Sequence, residues 1–134
     1  MPSEDKKEKR QKLPPGQTAI KRLLKWGKDH PTIAGSPVPK IDGQSYILFI
    51  DGEVGEPQKL SWNEILNLPS AESVSNFHCV EGWSVLNCKW EGVEFKRIVD
   101  LVKPKETAKF VSFECADGYS TSNSLKDLMG ESAI

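Results

Sequence analysis

Between residues 1 and 12 the chain carries no apolar side chain except Met1. Such a stretch has nothing to bury, so it is predicted to be a disordered charged tail. Leu13-Pro14-Pro15-Gly16 reads as an extended or turning entry segment. Ile20, Leu23 and Leu24 then have the spacing of a short amphipathic helix, capped by Thr18 and ending before His30-Pro31. From Ile33 to Gly43 the density of Pro and Gly predicts irregular chain on the surface. Tyr46 to Ile50 is a β-rich apolar run closed by Asp51-Gly52, a strand followed by a turn. Ser61 and Glu64 form a Ser-x-x-Glu capping box that opens a helix through Ile65, Leu66 and Leu68, stopped by Pro69. A strand is predicted from Val74 to Val80. Phe95, Ile98, Val99 and Val102 recur at helical spacing until Pro104. Phe110 to Cys115 is a further strand, Asp117-Gly118-Tyr119 a turn out of it, and Ser124 the cap of a final helix that Gly130 stops. Strands and short helices mix without a strict alternation, which predicts an α+β fold with a mixed β-sheet, and no internal repeat is visible.

The 134 residues suit one domain, placed here at 13–134. A formal net charge of -1 gives no reason to expect nucleic acid. The basic residues near the start alternate with Glu4, Asp5 and Glu8 and read as a solvated tail. No apolar run approaches the roughly 18 residues of a membrane span, and the charged start does not look like a signal peptide. Three cysteines cannot all pair within one chain, so free thiols in a reducing, cytoplasmic compartment are expected.

Phe77-His78-Cys79-Val80-Glu81-Gly82-Trp83-Ser84 is the segment richest in chemistry. A cysteine in an apolar strand is, taken alone, most often a small buried hydrophobe. Here His78 can donate to an anionic ligand, Gly82 permits close backbone approach, and Trp83 can wall a pocket or simply join the core. Structural zinc is disfavoured, because Cys79 and Cys88 are nine residues apart, Cys115 is remote, and no Cys-x-x-Cys or His-x-x-x-His spacing occurs. A protease-like Cys-His pair is disfavoured too, since His78 as strand neighbour points away from Cys79. Cys88, in a predicted loop, and Cys115, at a strand end, are assigned to packing. Asp117 to Ser122 places a phenol beside several hydroxyls, which suits an oxyanion, although on spacing alone a plain turn with a tyrosine lid is favoured.

Taken together, the Cys79 segment, Trp90-Glu91-Gly92-Val93, Phe110-Val111 and Asp117-Gly118-Tyr119 resemble, in order and spacing, the molybdopterin-binding domain of the sulfite oxidase family. Leu13-Pro14-Pro15-Gly16-Gln17, the Tyr46 to Gly52 segment, and Leu60-Ser61-Trp62 with Glu64 and Leu68-Pro69 extend the likeness upstream. The resemblance implies the family's α+β fold, a molybdenum-molybdopterin cofactor, and oxygen-atom transfer to or from sulfite or a sulfoxide-like substrate with an external electron partner. It implies Cys79 as the metal ligand, Tyr119 as the catalytic phenol beside the substrate, and His78, Ser120 and Thr121 as cofactor contacts. In the family further strands follow the Tyr119 turn and carry basic, phosphate-gripping stretches. The chain is therefore expected to be an amino-terminal part of the domain, incomplete at its C-terminus. The competing expectation is a cofactor-free binding module, or an inactive remnant, on the same scaffold.

Overall fold

Hairpins of consecutive strands make up most of the architecture, and one short parallel pairing distant in sequence is added to them. The structure, a computed structural model, describes residues 12–25, 28–29 and 38–130. In chain order these form β1 (Thr18–Ala19), β2 (Ile47–Ile50), β3 (Gln58–Ser61), α1 (Trp62–Leu66), β4 (Ala71–His78) and β5 (Trp83–Gly92). After them come α2 (Phe95–Val102), β6 (Phe110–Glu114), β7 (Ser120–Ser124) and α3 (Leu125–Leu128). One sheet is mixed, in the order β1-β5-β4, with β1 parallel and β4 antiparallel to β5. Antiparallel pairs β2-β3 and β6-β7 complete an α+β fold.

Several predicted elements form where their local signals place them. Ser61 Oγ accepts from Glu64 N–H at 3.2 Å and Glu64 Oε2 accepts from Ser61 N–H at 2.7 Å, so both halves of the capping box close. Apolar spacing gives α2, which ends at Lys103 in a left-handed conformation (φ 50°). The loop after β2 docks there: Gly55 N–H donates to the Lys103 carbonyl at 2.8 Å and Glu56 N–H to that of Val102 at 3.0 Å. Ser124 Oγ accepts from Asp127 N–H and caps α3 as expected.

Other expectations are corrected. The helix expected over Ile20 to Leu24 is absent; Thr18 and Ile20 donate instead to the carbonyls of Gly82 and Ser84, each at 2.8 Å. A segment that short gains little from helix formation, and pairing with β5 takes its hydrogen-bonding groups. Cys88 lies on β5 rather than in a loop, half-buried, its thiol 3.6 Å from the Val85 carbonyl. The alternation that marks β5 is present in the sequence: Leu86, Cys88 and Trp90 turn inward while Asn87, Lys89 and Glu91 face water. No strand is predicted over β7, since Ser-Thr-Ser-Asn-Ser has no apolar face; pairing with β6 alone makes it one. Cys115 is exposed and does not pack. Residues 1–11 of the expected tail, His30-Pro31 and the chain end at Ser132 to Ile134 lie outside the described residues, as does the irregular segment before Val38.

The described core is small. Leu60, Val85 and Val102 are its buried apolar residues, and Ser84 has no exposed surface at all. On the hairpin of β4 and β5, Phe77 stacks on Trp83 with ring centroids 5.5 Å apart, and Trp90 lies 6.4 Å from the same ring. Trp90 Nε1 donates to Ser75 Oγ at 3.0 Å, which satisfies the polar edge of a half-buried indole.

Candidate functional site

Cys79 sits on the turn joining β4 to β5. Gly82 N–H donates to the Cys79 carbonyl at 3.1 Å and Cys79 N–H to the Trp83 carbonyl at 2.9 Å. Gly82 takes φ +94°, the left-handed conformation that a three-residue hairpin loop needs at its last position. A Cβ there would also lie 3.1 Å from the Gly16 carbonyl oxygen, so the entry segment packs directly on the turn. At the tip Val80 is fully exposed.

The entry segment does more than cover the turn. Gln17 Nε2 donates to the Cys79 carbonyl at 3.0 Å. Ser84 Oγ donates to Gln17 Oε1 at 2.7 Å and is itself 2.7 Å from His78 Nδ1. His78 and Ser84 are directly opposite one another across β4 and β5, and their contact spans the pair. The backbone that carries the sulfur is thereby held from both sides by groups more than sixty residues apart in sequence.

The thiol of Cys79 is half-buried and free, and lies 3.6 Å from Glu81 Oε1. The same carboxylate oxygen accepts from Trp83 Nε1 at 3.3 Å. The sulfur therefore faces a polar, partly open surface bounded by an indole and not a sealed aliphatic pocket. Gln17, Glu81 and Ser84 are members of this cluster to which no role was assigned from sequence. Gln17 follows a Pro-Pro-Gly turn, which was a signal of a constrained segment, but its target lies across a parallel pairing that no local pattern announces.

Tyr119, Ser120 and Thr121 belong to the hairpin of β6 and β7. Tyr119 N–H donates to Asp117 Oδ1 at 3.0 Å, its carbonyl accepts from Cys115 N–H at 2.8 Å, and Ser120 and Thr121 pair with Glu114 and Phe113. The phenol is exposed, as are both hydroxyl residues. The structure thus joins His78 and Cys79 in one hydrogen-bonded cluster and holds the other three candidates on a second hairpin. Ring packing of Phe95 against Phe113, 6.4 Å between centroids, connects that hairpin to α2. No helix among the described residues is long and apolar enough to cross a membrane.

Comparison with known proteins yields a consistent set. Residues 35–134 match the family described as the oxidoreductase molybdopterin binding domain. The protein-methionine-sulfoxide reductase catalytic subunit MsrP of Campylobacter jejuni is 40% identical over 70 residues, covering 52% of this chain and 23% of that protein. The uncharacterized oxidoreductase YuiH of Bacillus subtilis is 32% identical over 93 residues, covering 69% of this chain and 47% of the relative. The matches thus span less than half the length of either relative. Among solved structures, the sulfane dehydrogenase SoxCD of Paracoccus pantotrophus superimposes with a TM-score of 0.63 at 17% identity, over 75% of this chain and 32% of that one. That likeness establishes a shared fold.

Proposed function

This chain belongs to the oxidoreductase molybdopterin binding domain family, and on that premise we propose that it supplies the metal-binding cysteine of a molybdenum-dependent oxidoreductase of the sulfite-oxidase type. The observation that carries the reading is the Cys79 thiol itself: free, half-buried, and presented from a turn whose backbone is hydrogen-bonded on both sides. The donor set fits the group. Among the described residues no three His, Cys, Asp or Glu side chains gather into a metal site. The chain therefore offers a metal one soft sulfur, which suits a metal whose other ligands arrive with an organic cofactor. When bound, the cofactor supplies the two-electron chemistry of oxygen-atom transfer.

The remaining roles belong to the protein. Cys79 binds as thiolate, and the clamped turn keeps the sulfur from swinging with the loop tip. His78 contacts the cofactor, and Trp83 walls the sulfur against water. Tyr119 presents its phenol to the substrate oxygen, with Ser120 and Thr121 as hydrogen-bonding neighbours. For substrate we propose a sulfoxide, on the strength of the methionine-sulfoxide reductase named among the relatives, with an external carrier as electron donor. All three cysteines are free thiols, which supports a reducing compartment such as the cytoplasm. The family match does not favour a cofactor-free module.

The test is metal content. The chain is purified from a host that makes the molybdenum cofactor, and molybdenum is measured by elemental analysis and its sulfur coordination by X-ray absorption. About one equivalent is expected, bound through a protein thiolate. Repeated preparations free of molybdenum would overturn the proposal. Loaded protein that oxidises sulfite but consumes no sulfoxide would overturn only the choice of substrate.

A further inference from the structure

For a neutral imidazole, the hydrogen bonds that run from Cys79 to His78 have one consistent assignment of protons. A backbone carbonyl can only accept, so the Gln17 atom 3.0 Å from the Cys79 oxygen is the amide nitrogen. The Gln17 oxygen therefore faces Ser84 and can only accept, so the single hydroxyl proton of Ser84 goes to it, across 2.7 Å. Ser84 Oγ has no second proton to give, and the contact of 2.7 Å with His78 Nδ1 requires the proton to be on the ring nitrogen. The chain of donors runs in one direction, from His78 to Ser84 to Gln17 to the Cys79 carbonyl. Ser84 is completely buried, so water does not reach the hydroxyl at the centre of this chain of donors.

We propose that Gln17 is a positioning residue which, through Ser84, selects the Nδ1–H tautomer whenever the His78 ring is neutral, and that tautomer presents Nε2 as a hydrogen-bond acceptor to a bound ligand. Among the described residues Nε2 has no partner of its own. The group it selects is a donor, an N–H or O–H on the ligand, rather than a bare anion. This refines the cofactor contact assigned to His78 above and rests on that reading only for the identity of the ligand. The ring state itself is a property of the chain alone. The amino-terminal segment thereby becomes a working part of the site: one amide side chain both braces the carbonyl of the cysteine and sets the polarity of the neighbouring imidazole.

The test uses nitrogen-15 NMR of the ring in the full chain without cofactor, at a pH above the ordinary histidine range. The sequence contains two histidines, and His30→Gln leaves His78 as the sole imidazole. The expected spectrum shows the proton on Nδ1, against the Nε2–H form that a free imidazole side chain favours. Gln17→Leu and, separately, Ser84→Ala are each expected to abolish that signature and return the ring to the Nε2–H form. An Nε2–H ring in the parent chain overturns the proposal, as does an Nδ1–H ring that persists in either variant. Should Gln17→Leu fail to fold, Gln17→Ala is read in its place with the same expected loss of the signature. An Nδ1–H ring in a chain that never acquires molybdenum would leave this inference standing and remove the proposed function.

Discussion

Two hairpin turns of this protein are built from nearly the same six residues. Cys79-Val80-Glu81-Gly82-Trp83-Ser84 joins β4 to β5, and Cys115-Ala116-Asp117-Gly118-Tyr119-Ser120 joins β6 to β7. Their backbones agree closely. The glycine donates to the cysteine carbonyl at 3.1 and 3.0 Å, the cysteine N–H to the aromatic carbonyl at 2.9 and 2.8 Å, and the glycines have φ of +94° and +89°. The surroundings do not agree. In the first turn Ser84 is fully buried and bonded to Gln17 and His78, whereas in the second Ser120 is exposed. Glu81 is close to the thiol and the indole, whereas the shorter Asp117 folds back on the Tyr119 N–H. The same local chemistry thus produces a clamped sulfur in one place and an exposed one in the other. What separates them is the segment Pro14–Ala19, which lies against the first turn and pairs with β5.

The sharpest way to break this comparison is at the cysteines. Cys79→Ser is expected to remove essentially all bound molybdenum, while Cys115→Ser leaves it unchanged, as elemental analysis would read. Equal losses from both would remove the distinction. Next come the serines. Ser84→Ala removes two part-buried hydrogen bonds, to His78 and to Gln17, and should cost about 1–3 kcal/mol in urea unfolding. Ser120→Ala, on the exposed strand, should stay within about 0.5 kcal/mol. The glycines follow. Alanine at either position meets the left-handed backbone penalty of roughly 1–2 kcal/mol. Gly82→Ala alone also crowds the Gly16 carbonyl at 3.1 Å, whereas nothing lies within 4 Å of a Cβ at Gly118. Gly82→Ala should therefore be the more destabilising by about 1 kcal/mol. The smallest contrast is access: in the cofactor-free chain a bulky maleimide should label Cys115 faster than Cys79, and the reverse order in a mass-spectrometric time course would mean that the clamp is loose.

Elements whose signals are short in range were legible. The Ser61–Glu64 capping box, the apolar stripe of α2 and the Ser124 cap need only residues three or four apart, and each formed. The strand Phe110–Glu114 also lies where its apolar run predicted it. The expected helix over Ile20 to Leu24 failed because its weak periodicity competed with two backbone bonds to β5. β5 is not predicted although Leu86 to Glu91 alternate, because Asn87 and Lys89 interrupt its apolar run. β7 had no hydrophobic signal to read. At the candidate site, His78 and Cys79 were recognised from their own segment, while Gln17, Glu81 and Ser84 received no role, because their meaning depends on partners elsewhere in the chain or on side-chain geometry.

The amino-acid order by itself determined both turns, their glycines, the helix caps and the family likeness, because each of these is specified within a few residues. Which of two equivalent turns would hold its cysteine in place was decided only when the chain folded. The long-range parallel pairing of β1 with β5 carries Gln17 to Cys79, and enclosure of Ser84 removes the water that would otherwise satisfy its hydroxyl. Burial turns a common hydroxyl into a directional link, and burial is a property of the assembled fold.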